Sequence, residues 1–239
     1  DVAPSRGLGD VYKRQHLYKE GFVGVSFFFI LSGFIIAYNY QQKLMERKVS
    51  KRQFWVARIA RIYPLHIATL LGVAVIGNLL HPMGWWEGLK HFIPALFLLH
   101  PFVPRMDYFF YFGSPSWSLG CEQLFYLLFP FLVLLFYKKQ RLVGVLLVCA
   151  VLVPTLMSLT DEANIRGYWY VNPLARFPDF LVGMLLYRAY GWCRFKQLSF
   201  STASLLEVGA VCIFLLFYMV SEDLVPKVYR CLLYTSTSP

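Results

Sequence analysis

The stretch Ser116-Trp-Ser-Leu-Gly-Cys-Glu-Gln-Leu-Phe-Tyr-Leu-Leu-Phe-Pro-Phe-Leu-Val-Leu-Leu-Phe136 decides the fold, because across it only Glu122 carries a charge. About 20 mostly apolar residues are what a helix needs to cross a hydrocarbon core roughly 30 Å thick. The same density recurs at approximately 22–40, 62–80, 142–159, 174–190 and 203–220, which with 118–136 makes six spans. A seventh apolar segment, 92–103, is too short to span in regular form and is interrupted or flanked by Pro94, Pro101 and Pro104, as a re-entrant or broken helix is. The composition agrees: 58% of the 239 residues are hydrophobic and 15% charged, against about 45–50% and about 25% in soluble domains. So few charges cannot cover the surface of a soluble globule, and disorder needs the opposite balance. The expected fold class is all-α, a polytopic transmembrane helix bundle.

Basic residues orient the bundle. Residues 41–61 hold Lys43, Arg47, Lys48, Lys51, Arg52, Arg58 and Arg61 against the single acid Glu46, and two further loops add Lys138, Lys139, Arg141, Arg188, Arg194 and Lys196. With these three loops on the cytoplasmic side, the acids gather on the other side, together with the interfacial aromatics Trp85, Trp86, Tyr168, Trp169 and Tyr170. This division requires 92–103 not to cross. The net charge of +10 is then a matter of topology, and nucleic-acid binding, which needs a basic soluble face, is excluded.

The two ends read as foreign sequence. Asp10 to Gln15 and Cys231 to Ser236 are encodable by opposite strands of one short DNA element, as sequencing-adapter read-through would produce. Residues 1–15 and 231–239 are therefore expected to be non-native, and 16–230 a partial membrane domain cut at both ends.

Polar groups inside a membrane are costly and are functional candidates by default. Ser118, Glu122 and Tyr126 recur every fourth residue and share one helical face. A carboxylate there is either desolvated or paired to a donor, and both suit acid–base work; the alternative is an interfacial Glu that reaches water or bridges two helices. Arg58 and Arg61, three apart, present two guanidiniums able to grip phosphates, although the positive-inside rule alone also places cations beside a span. Arg176 and Asp179 enter the helix 174–190 and are spaced to pair with each other. Ser32 in Leu31-Ser-Gly-Phe34 reads as a small packing residue, having no base beside it in sequence. None of the five histidines (His16, His66, His81, His91, His100) has metal-like spacing, and no metal site is expected.

Four motifs together resemble the acyltransferase-3 family of integral membrane O-acyltransferases. Gly24 to Ile35 is similar to its GVDLFFVLSGFLI signature, Phe54 to Pro64 to its R-x-x-R segment, Trp117 to Tyr126 with Pro130 to its W-S-L-x-x-E-x-x-F-Y pattern, and Arg176 to Gly183 to its R-x-x-x-F-x-x-G stretch. The resemblance implies transfer of an acyl group, usually acetyl from acetyl-CoA, to a hydroxyl of a cell-envelope glycan or similar acceptor, in a multi-pass protein of the bacterial inner membrane. It implies no bound cofactor, the acyl-CoA being a substrate. Set beside that reaction, the candidates read from the residues take these expected roles: Glu122 as catalytic, with a His or Glu deprotonating the acceptor hydroxyl, Arg58 and Arg61 as donor-binding, and Ser32, Trp117, Ser118, Tyr126, Arg176 and Asp179 as supports of a polar pathway. The family's first helix, with an Arg and a His, would precede residue 16, so that this piece alone would be inactive; His16 is not equated with that His, and Ser26 stands where the family usually has Asp. Two other classes stay open: a transporter or flippase without covalent chemistry, and a non-catalytic scaffold.

Overall fold

The computed structural model describes residues 21–80, 84–103, 108, 116–136, 138–160 and 166–193, with scattered positions between 201 and 212. Among them all regular structure is helical. Helix α1 (Gly21–Ile36) runs through a π-turn (Ala37–Gln41) into the short α2 (Gln42–Met45). After a tight turn come α3 (Lys51–Leu80) and α4 (Trp85–Leu96), then a 3-10 turn (His100–Phe102). Helices α5 (Ser116–Leu135) and α6 (Lys139–Ser158) follow, and a second π-turn (Arg166–Val171) leads into α7 (Pro173–Cys193). The expected last span, 203–220, lies mostly outside the described residues, as do His16, His81 and the two chain ends.

The basic stretch 41–61, expected as a loop, is largely helical. The chain turns only over 46–50, and α3 is 30 residues long. Its start is a capping box: the Gln53 amide donates to Ser50 Oγ at 3.2 Å, and the Ser50 amide donates back to Gln53 Oε1 at 2.8 Å. Two otherwise orphaned amides are thereby satisfied. Arg58 and Arg61 consequently stand on a rigid helix continuous with the span. Helix α4 likewise begins before the expected broken segment. It ends at Phe97–Leu99, where Leu98 adopts a left-handed φ of 54°, a conformation that costs a branched residue energy and marks a forced break.

Close helix contact is made by glycine. α1 crosses α7 at Gly33 and Gly183, and a Cβ on Gly183 would sit 2.9 Å from the Gly33 Cα and 2.7 Å from the Phe34 nitrogen. In a membrane, where burial from water cannot drive association, small residues that let backbones touch supply the packing. Below this crossing, Phe29 of α1 stands edge-on to Phe125 of α5 (5.4 Å between ring centres), which stacks on Phe180 of α7 (4.8 Å). Phe54 of α3 meets Phe129 at 5.3 Å. All five rings are fully buried. Gly120 makes room for the broken segment, since its Cβ would meet Pro101 Cγ at 2.7 Å and the Leu98 carbonyl at 2.8 Å.

Pro130 lies inside α5 and offers no N–H to the Tyr126 carbonyl one turn back. Trp55 of α3 fills that gap, its indole N–H donating to the Tyr126 carbonyl at 3.2 Å. Three described helical stretches are long and apolar enough to cross a membrane: Gly24–Met45, Lys51–Leu79 and Ser116–Leu135. The apolar part of α6 is shorter, and α7 has 21 residues but carries Arg176, Asp179 and Arg188.

Candidate functional site

The site is built on α5 where it faces α1 and α3. Glu122 and Tyr126 are one turn apart and both buried, and the Tyr126 hydroxyl donates to Glu122 Oε2 at 3.0 Å. The Ser32 hydroxyl of α1 lies close to the same phenol. Ser32, Tyr126 and Glu122 thus gather as a small polar group between two apolar helices. The carboxylate also has two cations within electrostatic reach, Arg61 and Arg58.

Arg58 joins this group to a second region. Its Nη2 donates to the Tyr40 hydroxyl at 2.8 Å, and its guanidinium lies 4.8 Å from the Tyr40 ring and 5.9 Å from those of Phe54 and Tyr126. Desolvated cation–π contacts of this kind contribute about 2 kcal/mol, and they hold the planar group in one orientation. A cavity of about 270 Å³ opens beside it, lined by Ile35, Ile36, Asn39, Tyr40, Lys43, Arg58 and Arg61. Three cations line it and no acid does, so it suits an anion of several charges. The π-turn shapes this cavity: it adds one residue per turn locally and carries Asn39 and Tyr40.

A separate polar cluster sits where α7 meets α1. Arg176 donates through Nη1 to Ser26 Oγ at 3.0 Å, pairs with Asp179 Oδ2 at 3.5 Å, and donates through Nε to the Tyr170 carbonyl at 2.8 Å. Ser26 also lies close to Asp179. The Ser26 hydroxyl thus accepts from the Arg that pairs with Asp179. A groove of about 600 Å³ between α6 and α7 has Ser26, Tyr170, Arg176 and Asp179 at its polar end.

The expected residues therefore divide into two groups. Ser32, Arg58, Arg61, Glu122 and Tyr126 come together, although the sequence places the arginines near one membrane face and Glu122 toward the other. Arg176 and Asp179 pair with each other, and buried Cys121 lies within electrostatic reach of Arg176, Asp179 and Glu122, between the two groups. Ser118 lies one turn before Glu122, half-buried. Trp117 packs against Phe29 at 6.2 Å and Tyr170 at 5.1 Å, so it supports the framework. Tyr40, Lys43 and Trp55 were missed as site residues; the first two follow a span where a basic, aromatic sequence looks like ordinary interfacial anchoring. The described histidines brace the broken segment: His66 Nε2 donates to the Ala95 carbonyl at 2.9 Å, and His100 Nε2 meets Ser116 Oγ at 3.1 Å. Among the described residues no group of three His, Cys, Asp or Glu side chains could hold a metal.

Acyltransferase MdmB of Streptomyces mycarofaciens is 38% identical over 135 residues, which cover 54% of this chain and 32% of that protein. Peptidoglycan O-acetyltransferase OatA of Listeria monocytogenes is 31% identical over 242 residues, 89% of this chain and 37% of that protein. An uncharacterized protein of Haemophilus influenzae is 28% identical over 198 residues, 76% of this chain and 80% of its own length. The chain spans about a third of the length of MdmB and OatA. No solved structure matches it. The family model described as an acyltransferase domain matches residues 16–236, which include both polar clusters, and the chain belongs to the acyltransferase-3 family.

Proposed function

We propose that this chain is part of a membrane O-acyltransferase that moves an acyl group, most simply acetyl, from cytoplasmic acyl-CoA to a hydroxyl of a cell-envelope glycan. It would sit as a multi-pass protein in the bacterial cytoplasmic membrane. One observation carries the reading: Arg58 and Arg61, which line the basic cavity with Lys43, are within electrostatic reach of Glu122, and the Arg58 guanidinium lies 5.9 Å from the ring of its partner Tyr126. The cations suit the phosphates of a CoA donor, for which guanidinium forks are well matched. The names of the relatives point to the same reaction class.

In this reaction the acceptor hydroxyl oxygen attacks the thioester carbonyl carbon, forming the new C–O bond as the C–S bond breaks. Glu122 takes the hydroxyl proton and returns it to the departing thiolate, so CoA leaves as the free thiol. Tyr126, whose hydroxyl bonds Glu122, is placed to orient the carboxylate or to stabilise the oxyanion. The Arg176–Asp179 cluster, reached from the other end of the bundle, suits the hydroxyls of an acceptor. The test is transfer of label from acetyl-CoA to envelope glycan in membranes containing the protein, with and without Glu122→Gln. The expected loss is at least 100-fold; wild-type transfer by the variant removes Glu122 from the chemistry. A transporter would leave no covalent label in either case.

A further inference from the structure

The groove of about 600 Å³ between α6 and α7 changes character along its length. Val143, Leu147, Ala150 and Val153 line it from α6, one in each successive turn, and Val182 and Leu185 from α7. Between Val143 and Val153 a helix rises about 15 Å. That is half of a hydrocarbon core roughly 30 Å thick, the depth that one lipid tail fills. Leu147 and Ala150 are exposed, so the groove opens sideways toward the bilayer. Its polar end is different. Arg176 and Asp179 are the only charged groups lining the groove among the described residues, and their charges cancel. Their pairing is loose, because 3.5 Å is long for a charge-assisted hydrogen bond. The two side chains keep 11% and 26% of their surface exposed. Arg176 Nη2 has no hydrogen-bond partner among the described residues. An N–H donor beside a carboxylate acceptor matches a hydroxyl, which accepts from one and donates to the other. A phosphate would instead meet a carboxylate and no net positive charge. Trp169 also lines the groove, its indole N–H donating to Thr160 Oγ1 at 2.9 Å.

We propose that the groove holds the tail of a neutral glycolipid whose sugar lies against Arg176 and Asp179, and that this lipid is the acceptor. The proposal rests on the O-acyltransferase reading above. It narrows the acceptor from envelope glycans in general to one whose sugar is joined, without a phosphate, to a long apolar chain. Hydrocarbon alone would leave the Arg–Asp pair unmet, and a free glycan would leave the groove unfilled. The tail is in hydrocarbon before and after binding, so the groove gives it no burial from water. What the groove gives is registry, holding the sugar at one depth. Arg176 and Asp179 bind the acceptor, and the proton transfer stays with Glu122.

The experiment incubates washed membranes containing the full-length protein with acetyl-labelled acetyl-CoA, against membranes without it. The membranes are extracted with chloroform–methanol, and the extract is passed over an anion exchanger. Base-labile label is expected in the unretained, neutral lipid. Misplacing a reacting group by about 1 Å costs on the order of 100-fold, so Ala150→Trp and Val153→Phe, which fill the groove, should each lower that product about tenfold or more. Val151→Trp, at an exposed position of α6 outside the groove, should leave it unchanged. Unchanged acetyl-CoA binding and thermal midpoint report that each variant has folded. Label confined to polymer, or retained on the exchanger, overturns the neutral glycolipid and leaves the O-acyltransferase reading standing. Neutral-lipid product that survives in both filled variants also overturns it. So does a fall of several degrees in the midpoint of both, since a further helix of the protein then packs in the groove. Absence of transfer to any fraction removes the acyltransferase reading as well.

Discussion

Substituting Gly183 by alanine tests the packing that positions both polar clusters. The new Cβ would fall 2.9 Å from the Gly33 Cα and 2.7 Å from the Phe34 nitrogen, and nearer still to the Ile30 carbonyl oxygen. All three are backbone atoms, so no side chain can rotate away and α1 must separate from α7. Overpacking of this kind costs about 1–3 kcal/mol. At about 2–4 °C per kcal/mol for a chain of this size, the midpoint of thermal unfolding in detergent should fall by several degrees. Separation would also lengthen the Arg176–Ser26 hydrogen bond, now 3.0 Å. Gly72 and Gly144 are matched controls, helical glycines at which a Cβ meets nothing within 4 Å. There alanine gains helix propensity, about 1 kcal/mol in soluble helices, and should leave the midpoint unchanged or raise it. If Gly183→Ala melts with wild type, or if the controls fall equally, the glycine crossing is not what joins these helices.

Trp55→Phe keeps the aromatic bulk but strips the donor from the Tyr126 carbonyl freed by Pro130, and should cost about 1–3 kcal/mol. Unfolding that matches wild type would show that another donor reaches that carbonyl. Ser50→Ala removes half of the α3 capping box and should cost about 1 kcal/mol, with Ser50→Asp restoring most of it. Tyr40→Phe leaves the Arg58 guanidinium without its 2.8 Å acceptor, and should weaken CoA binding while barely changing helix content by circular dichroism; unchanged binding would mean that Tyr40 does not hold Arg58.

Features that depend on one helix are legible in the sequence, and features that depend on pairing helices are not. The Ser118–Glu122–Tyr126 face follows from the 3.6-residue period, and so does the pairing of Arg176 with Asp179. The Tyr40–Arg58 bond crosses a turn between helices, and its partners lie 18 residues apart. Gly33 and Gly183 look like any two membrane glycines until α1 and α7 are brought together. The meeting of the arginines with Glu122 was hidden for another reason. Reading 41–61 as loop put Arg58 and Arg61 at the membrane surface, whereas Ser50 and Gln53 start α3 early and carry both arginines up alongside α5. That S-x-x-Q signal was present in the sequence and outweighed by the density of charge around it.

Equilibrium binding of acetyl-CoA tests the central claim most directly, because it separates a phosphate site from cations placed merely to orient the chain. The comparison is between Arg58→Ala with Arg61→Ala and Lys138→Ala with Arg141→Ala, two pairs that remove the same charge from the same expected face. Charge-assisted hydrogen bonds contribute about 1.5–3 kcal/mol each. The first pair should therefore lose at least tenfold in affinity, and the second should stay within about twofold at physiological salt, where screening mutes distant charge. Equal weakening by both pairs, or none by either, would contradict a donor site at Arg58 and Arg61.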